Sequence, residues 1–234
     1  MTILKKIGCF FLVTMMISCN SGEINEKNEI VLEMKIDYSP DSSFRMEYQM
    51  DKAKGIKHGS YKEYDDIGLL IESTYKDGKI DGIEKHYFSG TKNLDAEFTY
   101  VQGVLNGDFK YYFEDNGKVK QKGSYINDKI EGMLISYYSD GTLKEEVMHV
   151  GGLTKGTFKE YNENGTLKAE GDFTNKGELE GLEHGLLKLY DENGGLDKKM
   201  VCKEGQCCTI WTLEEGDVKA TSDLCKEIIS GQFE

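Results

Sequence analysis

Gly156-Thr-Phe-Lys-Glu-Tyr161-Asn-Glu-Asn-Gly165-Thr-Leu-Lys168 is the clearest of six copies of one short pattern. The copies open on Gly59, Gly82, Gly107, Gly132, Gly156 and Gly185, spaced 23, 25, 25, 24 and 29 residues apart. Five residues after its glycine each copy has a tyrosine: Tyr64, Tyr87, Tyr112, Tyr137, Tyr161 and Tyr190. A second glycine follows eight to ten residues after the first: Gly68, Gly90, Gly117, Gly141, Gly165 and Gly194. An aliphatic residue and then usually a ring come next, as in Val119 and Tyr125, Leu143 and His149, Leu167 and Phe173. Self-similarity at such a period marks a repeat architecture, in which a unit too small to bury its own apolar face is held by its neighbours.

The pattern is one of strands. Each copy holds two runs of six to eight residues rich in Tyr, Phe, Leu, Val and Thr. The runs are punctuated by Asn-Gly and Asp-Gly pairs such as Asn116-Gly117, Asp140-Gly141 and Asn193-Gly194. These pairs reach positive φ at low cost and favour tight hairpin turns. No helical period runs through them. The expected fold is all-β: an elongated, twisted antiparallel meander of about twelve to sixteen strands, one hairpin per copy, since strands twist with a fixed hand. Such a ribbon has a concave face. The six tyrosines share one place in every hairpin, so they should form a column along one face, and they are the binding-face candidates.

The copies resemble the variant MORN repeat, whose pattern is roughly glycine, hydrophobic, Lys-x-Tyr, then x-x-x-Gly-x-Leu-Lys. Gly156 to Lys168 follows it almost throughout, and Gly107 to Lys120 follows it with one extra residue before Gly117. Gly132 has Ile135 where the pattern has lysine, and the copy at Gly82 carries a two-residue insertion before Leu94. The resemblance covers about two-thirds of the chain, residues 58–208. It implies a non-catalytic interaction scaffold with a protein partner and no cofactor; some relatives carry an antitoxin label, which no residue here transfers. Gly-punctuated aromatic hairpins also occur in choline-binding repeats, so a glycan-binding module of the cell envelope is the alternative. Those repeats rely on tryptophan cages, and this chain has one tryptophan, Trp211.

The flanks follow from composition. Residues 1–19 read as an export signal: Lys5 and Lys6, then an apolar run from Ile7 to Ile17, too short to span a bilayer. The run ends in Met16-Ile17-Ser18-Cys19, which resembles a bacterial lipobox. That resemblance implies acylation of Cys19 and a lipid anchor in a bacterial envelope membrane, with the outer membrane or cell surface as the expected location. Residues 20–29 are polar and read as a flexible tether. Residues 30–57 alternate as a divergent leading hairpin, with Ser39-Pro40-Asp41-Ser42 as its turn. Residues 209–234 leave the repeat and read as a closing cap, with Trp211 and Leu213 ending a last strand and Ser222 capping a short helix through Ile229.

Charge and the remaining residue types narrow the partners. A net charge of −13 repels phosphate backbones, so nucleic acid is excluded as a partner. Cys202, Cys207, Cys208 and Cys225 are an even set in an exported chain and are disulfide candidates. Cys202 with Cys207 across a hairpin and Cys208 with Cys225 is one pairing. Cys202 with Cys208 and Cys207 with Cys225 is the other, and the vicinal pair is the least suited. Their spacing lacks the paired knuckles of a zinc site, so no metal is expected. His58, His86, His149 and His184 have no nucleophile motif beside them and read as structural. No G-x-S-x-G, H-E-x-x-H or phosphate-loop motif occurs.

Overall fold

The computed structural model describes residues 30–231. The expected export signal, Cys19 and the tether lie outside the described residues, as does the end of the cap. The described chain is an open antiparallel sheet with one short helix after it. Strands β1 (Leu32–Tyr38) and β2 (Arg45–Asp51) form the leading hairpin. The first copy is β3 (Ile56–Tyr64) with β4 (Leu69–Lys76). In the second, β5 (Lys79–Ile80) and β6 (Gly82–Tyr87) both pair with β4, and β6 turns into β7 (Leu94–Val101). The third is β8 (Val104–Tyr112) with β9 (Val119–Ile126). In the fourth, β10 (Lys129–Ile130) and β11 (Gly132–Tyr137) precede β12 (Leu143–Val150). The fifth is β13 (Leu153–Tyr161) with β14 (Leu167–Lys176), and the sixth β15 (Leu179–Tyr190) with β16 (Leu196–Lys203). Strands β17 (Gln206–Thr212) and β18 (Gly216–Asp217) and the helix α1 (Asp223–Ser230) close the chain.

Each hairpin pairs with the next, so the order in the sheet follows the order in the chain. The strand count reaches 18 because two first strands are interrupted, at Asp81 and Glu131, and because β18 adds a short rung beyond the expected last strand. Leu213 is not in that last strand; it follows Thr212 and is 62 % exposed. The turns between copies are tied to one another: the N–H groups of Gly78, Gly103, Asp128, Gly152 and Gly205 donate to Lys57, Ile80, Leu105, Ile130 and Glu183 of the copy before. Stacking is thus built into the backbone as well as the side chains.

One irregularity recurs in all six hairpins. The register slips by one residue immediately before the repeat tyrosine, so that Tyr64 pairs with Leu69, Tyr87 with Leu94, Tyr112 with Val119, Tyr137 with Leu143, Tyr161 with Leu167 and Tyr190 with Leu196. The extra residue lies on the second strand: Leu70, Asp95, Lys120, Lys144, Lys168 or Asp197. A bulge bends its strand and raises the local twist, so a bulge in every copy is a device for curving the whole sheet.

Side chains alternate between faces along a strand. The buried column is set by the residue two after each opening glycine. Tyr61, Phe109, Phe158 and Leu187 hold this place and are buried, and in the second copy Glu84 holds it. Phe109 pairs directly with Gly123, and Phe158 with Gly171. A β-carbon on Gly123 would lie 2.9 Å from the Phe109 ring and one on Gly171 3.0 Å from the Phe158 ring, so these glycines make room for the rings. From the fourth to the sixth copy Val147, Phe158, Ala169, Leu187 and Cys202 form one apolar cluster. Gly107 shows why the opening position is glycine: its φ is +132°, and a β-carbon there would meet the Thr99 side chain at 2.8 Å.

Candidate functional site

The six tyrosines lie on the face opposite the buried column. Each ends the first strand of its copy and is partly buried. Five of them donate the phenol hydroxyl to a glutamate on the second strand of the preceding hairpin: Tyr64 to Glu47 (3.3 Å), Tyr87 to Glu72 (3.2 Å), Tyr112 to Glu97 (2.5 Å), Tyr161 to Glu146 (2.9 Å) and Tyr190 to Glu170 (2.8 Å). Burial, then the carboxylate hydrogen bond, pushes the Tyr161 phenol up to about 12 and raises Tyr87, Tyr112 and Tyr190 in the same direction. The hydroxyls are therefore committed donors that bind each copy to the one before it.

Those glutamates belong to a longer row. Directly paired residues across successive strands read Glu47, Lys62, Glu72, Lys85, Glu97, Lys110, Lys122, Ile135, Glu146, Lys159, Glu170, Lys188, Lys199. Opposite charges facing each other across strands contribute roughly 0.2–1 kcal/mol per pair, and like charges cost a similar amount. Lys62 reaches Glu72 at 3.4 Å, and Lys188 reaches Glu170 at 2.8 Å. The alternation breaks at Lys110, Lys122 and Ile135, and again where Lys188 faces Lys199. At the first break Tyr137 has no glutamate, and the Lys122 ammonium sits 5.5 Å from its ring centre instead.

Beside the hairpin turns a cleft of about 930 Å³ opens across the second to fourth copies, and two of the repeat tyrosines, Tyr112 and Tyr137, are part of its lining. Phe88, Phe113 and Tyr138, each the residue after a repeat tyrosine, line it together with Tyr111 and the bulge residues Lys120 and Lys144. Lys120 lies 6.0 Å from the Phe113 ring centre and Lys144 5.8 Å from that of Tyr138. Glu145 in the same cleft has its carboxyl raised by burial and by Glu160. The row of rings is confined to these three copies: the corresponding residues elsewhere are Asp65, Asn162 and Asp191.

The histidines are separate from both features. His149 is buried, with Nδ1 3.3 Å from the Val147 carbonyl and Nε2 3.2 Å from the Thr154 hydroxyl. His86 lies 2.9 Å from buried Glu84, and His58 accepts the Asp77 N–H. Among the described residues no group of three or more His, Cys, Asp and Glu side chains is placed to hold a metal ion. The cysteines are paired as Cys202–Cys207, across the hairpin of β16 and β17, and Cys208–Cys225, which joins β17 to α1. Ser222 caps the helix by accepting the Cys225 N–H, and Ile228 packs with Val201 and Cys208.

Sequence reading located the tyrosines but missed their partners and the charge row. A signal was present: Glu72, Glu97 and Glu146 each precede their tyrosine by 15 residues.

Residues 105–127 and 155–175 match the family model described as MORN repeat variant. They fall on the third and fifth copies, and the structure extends the same hairpin to the other four. A search of curated proteins found no match. MORN repeats of this kind point to a repeat scaffold for binding or protein interaction, in a family that is generally non-catalytic.

Proposed function

We propose that this variant MORN-repeat protein is a bacterial envelope lipoprotein, anchored through Cys19, whose repeat sheet binds a protein partner and carries out no reaction. The observation that supports this reading most is the tyrosine face. Five of its six phenols and most of its charges are satisfied within the sheet, so the surface is ordered before a partner arrives and little freedom is lost on docking. A pull-down from envelope extract with residues 20–234 tests it. Recovery of one stoichiometric protein, lost when Tyr87, Tyr112 and Tyr161 are replaced together by alanine, is the expected result. Incorporation of a labelled fatty acid, abolished by Cys19→Ala, tests the anchor separately.

The ring-lined cleft favours glycan binding as the second reading, because aromatic faces stack on sugars while lysine and carboxylate groups bind hydroxyls. Retention on a peptidoglycan or polysaccharide resin, lost on Phe113→Ala and Tyr138→Ala, would favour it over a protein partner.

A further inference from the structure

Two copies of the sheet carry the same shallow depression on the tyrosine face, and they differ in the charges that line it. In the fifth copy the depression has a volume of about 290 Å³ and is lined by Lys159, Glu170, Leu186 and Lys188, among others. Glu170 accepts from the Lys188 ammonium at 2.8 Å and from the Tyr190 hydroxyl at 2.8 Å. These two donors hold its carboxyl below the usual carboxylate range. In this depression a carboxylate of the chain itself already pairs with one of the lining lysines.

In the third copy the equivalent depression, also about 290 Å³, is lined by Asp108, Lys110, Lys122, Ser124, Met133 and Ile135. Strand pairing makes the two sites equivalent. Lys122 lies between Lys110 and Ile135, as Glu170 lies between Lys159 and Lys188. Lysine therefore replaces the central glutamate, and isoleucine replaces one flanking lysine. Among the described residues neither Lys110 nor Lys122 forms an ion pair. Glu97 is opposite Lys110, but its carboxylate takes the Tyr112 hydroxyl. Asp108 on the rim takes the Ser124 hydroxyl.

We infer that this depression binds a carboxylate from outside the chain, an acidic side chain of a protein partner whose neighbouring apolar group covers Met133 and Ile135. The inference rests on the scaffold reading above and names the chemistry of its partner. Two lysines directly opposite each other on neighbouring strands repel, and an incoming carboxylate relieves that repulsion while gaining charge-assisted hydrogen bonds. The fifth copy shows the arrangement such a group completes. The net charge of −13 does not forbid it: exposed charges farther than about 8 Å are largely screened at physiological salt, and the two nearby carboxylates, Asp108 and Glu97, each already accept a hydroxyl of the sheet. The flanking Met133 and Ile135, where the fifth copy has Leu186 and Lys188, make the site half apolar and so suit a residue pair such as glutamate with leucine.

The test uses the full chain and a blocked Leu-Glu-Leu-Glu-Leu peptide, with its glutamine counterpart, titrated at low and physiological salt while backbone resonances are followed. The glutamate peptide is expected to shift resonances at Lys110, Lys122 and Ile135. The glutamine peptide should bind at least about tenfold more weakly, since one charged contact of this kind is worth roughly 1.5–3 kcal/mol. Lys122→Glu supplies the missing rung from within, so it should abolish binding while raising the unfolding midpoint. Lys159→Ala, in the fifth copy, should leave binding unchanged. Equal binding of the two peptides, or binding that survives Lys122→Glu, would overturn the inference. So would Lys122-dependent binding of a polyuronic acid with no binding of the peptide. A partner recovered in the pull-down whose capture ignores Lys122→Glu would sink this inference and leave the scaffold reading intact.

Discussion

The two ends of the sheet are finished in opposite ways. At the C-terminal end Cys208–Cys225 pins α1 to β17, Cys202–Cys207 closes the last hairpin, and Ile228 is only 2 % exposed. At the N-terminal end β1 pairs, among the described residues, with β2 alone, and Leu32, Met34, Ile36 and Tyr38 stand 41–62 % exposed along one side of it. The interiors differ in the same sense. The fourth to sixth copies share an apolar cluster, whereas the first and second bury Ser73 and Glu84, and among the described residues the Ser73 hydroxyl has no hydrogen-bond partner. An array in which each unit contacts mainly its neighbours gains stability step by step along its length. Among the described residues, therefore, the array is secured at its C-terminal end and least covered at β1.

The comparison can be broken most forcefully at the cap. Cys208→Ser with Cys225→Ser opens a loop spanning 17 residues, and such a loop corresponds to about 3 kcal/mol of chain entropy. Urea unfolding should register that loss, and amide exchange in α1 should become nearly unprotected. If α1 stays protected, the disulfide is not what holds the cap. The next effect comes from packing. Ile228→Ala should cost about 2 kcal/mol, at the low end for a buried aliphatic truncation. Ile36→Ala at the opposite end should change stability by less than about 0.5 kcal/mol. Equal costs would mean that the two ends are not finished differently after all.

Acid sharpens the comparison with a smaller effect. In the turn of the leading hairpin the Asp41 carboxylate accepts from the Ser39 and Ser43 hydroxyls and from the Ser43 N–H. These bonds, the Ser39 hydroxyl foremost, hold it down to about 2 from an ordinary 3.8. A carboxyl lowered on folding contributes stability above its unfolded value and loses it as pH falls through its folded value. The leading turn should therefore loosen between pH 3.8 and about 2, seen as line broadening across β1 and β2, while the disulfide-held cap does not respond. Asp41→Asn should remove this pH dependence; its persistence would place the titrating group elsewhere.

Much of this was legible beforehand, and the reason is local. A tyrosine at a constant offset from a glycine that must take positive φ identifies a hairpin wherever it occurs, so the six copies, the leading hairpin and the Ser222-capped helix were readable from neighbouring residues alone. The bulge before each tyrosine was not readable, because Leu70 and Lys120 occupy the same bulge position with different chemistry. The buried column was obscured for a similar reason: it holds Tyr61, Glu84, Phe109 and Leu187, which share no residue type. The interruptions at Asp81 and Glu131 likewise carry no common signal.

The repeating unit, its strands and its turns follow from neighbouring residues alone, because backbone conformation at glycine and at Asn-Gly pairs is settled within a few positions. Which residues meet across strands required the assembled sheet: that five phenols each find a glutamate of the preceding hairpin, and that Lys110 faces Lys122 with no acid between them. Those meetings depend on register, and a slip of one residue turns every side chain to the other face. Their energies exist only once neighbouring hairpins have paired.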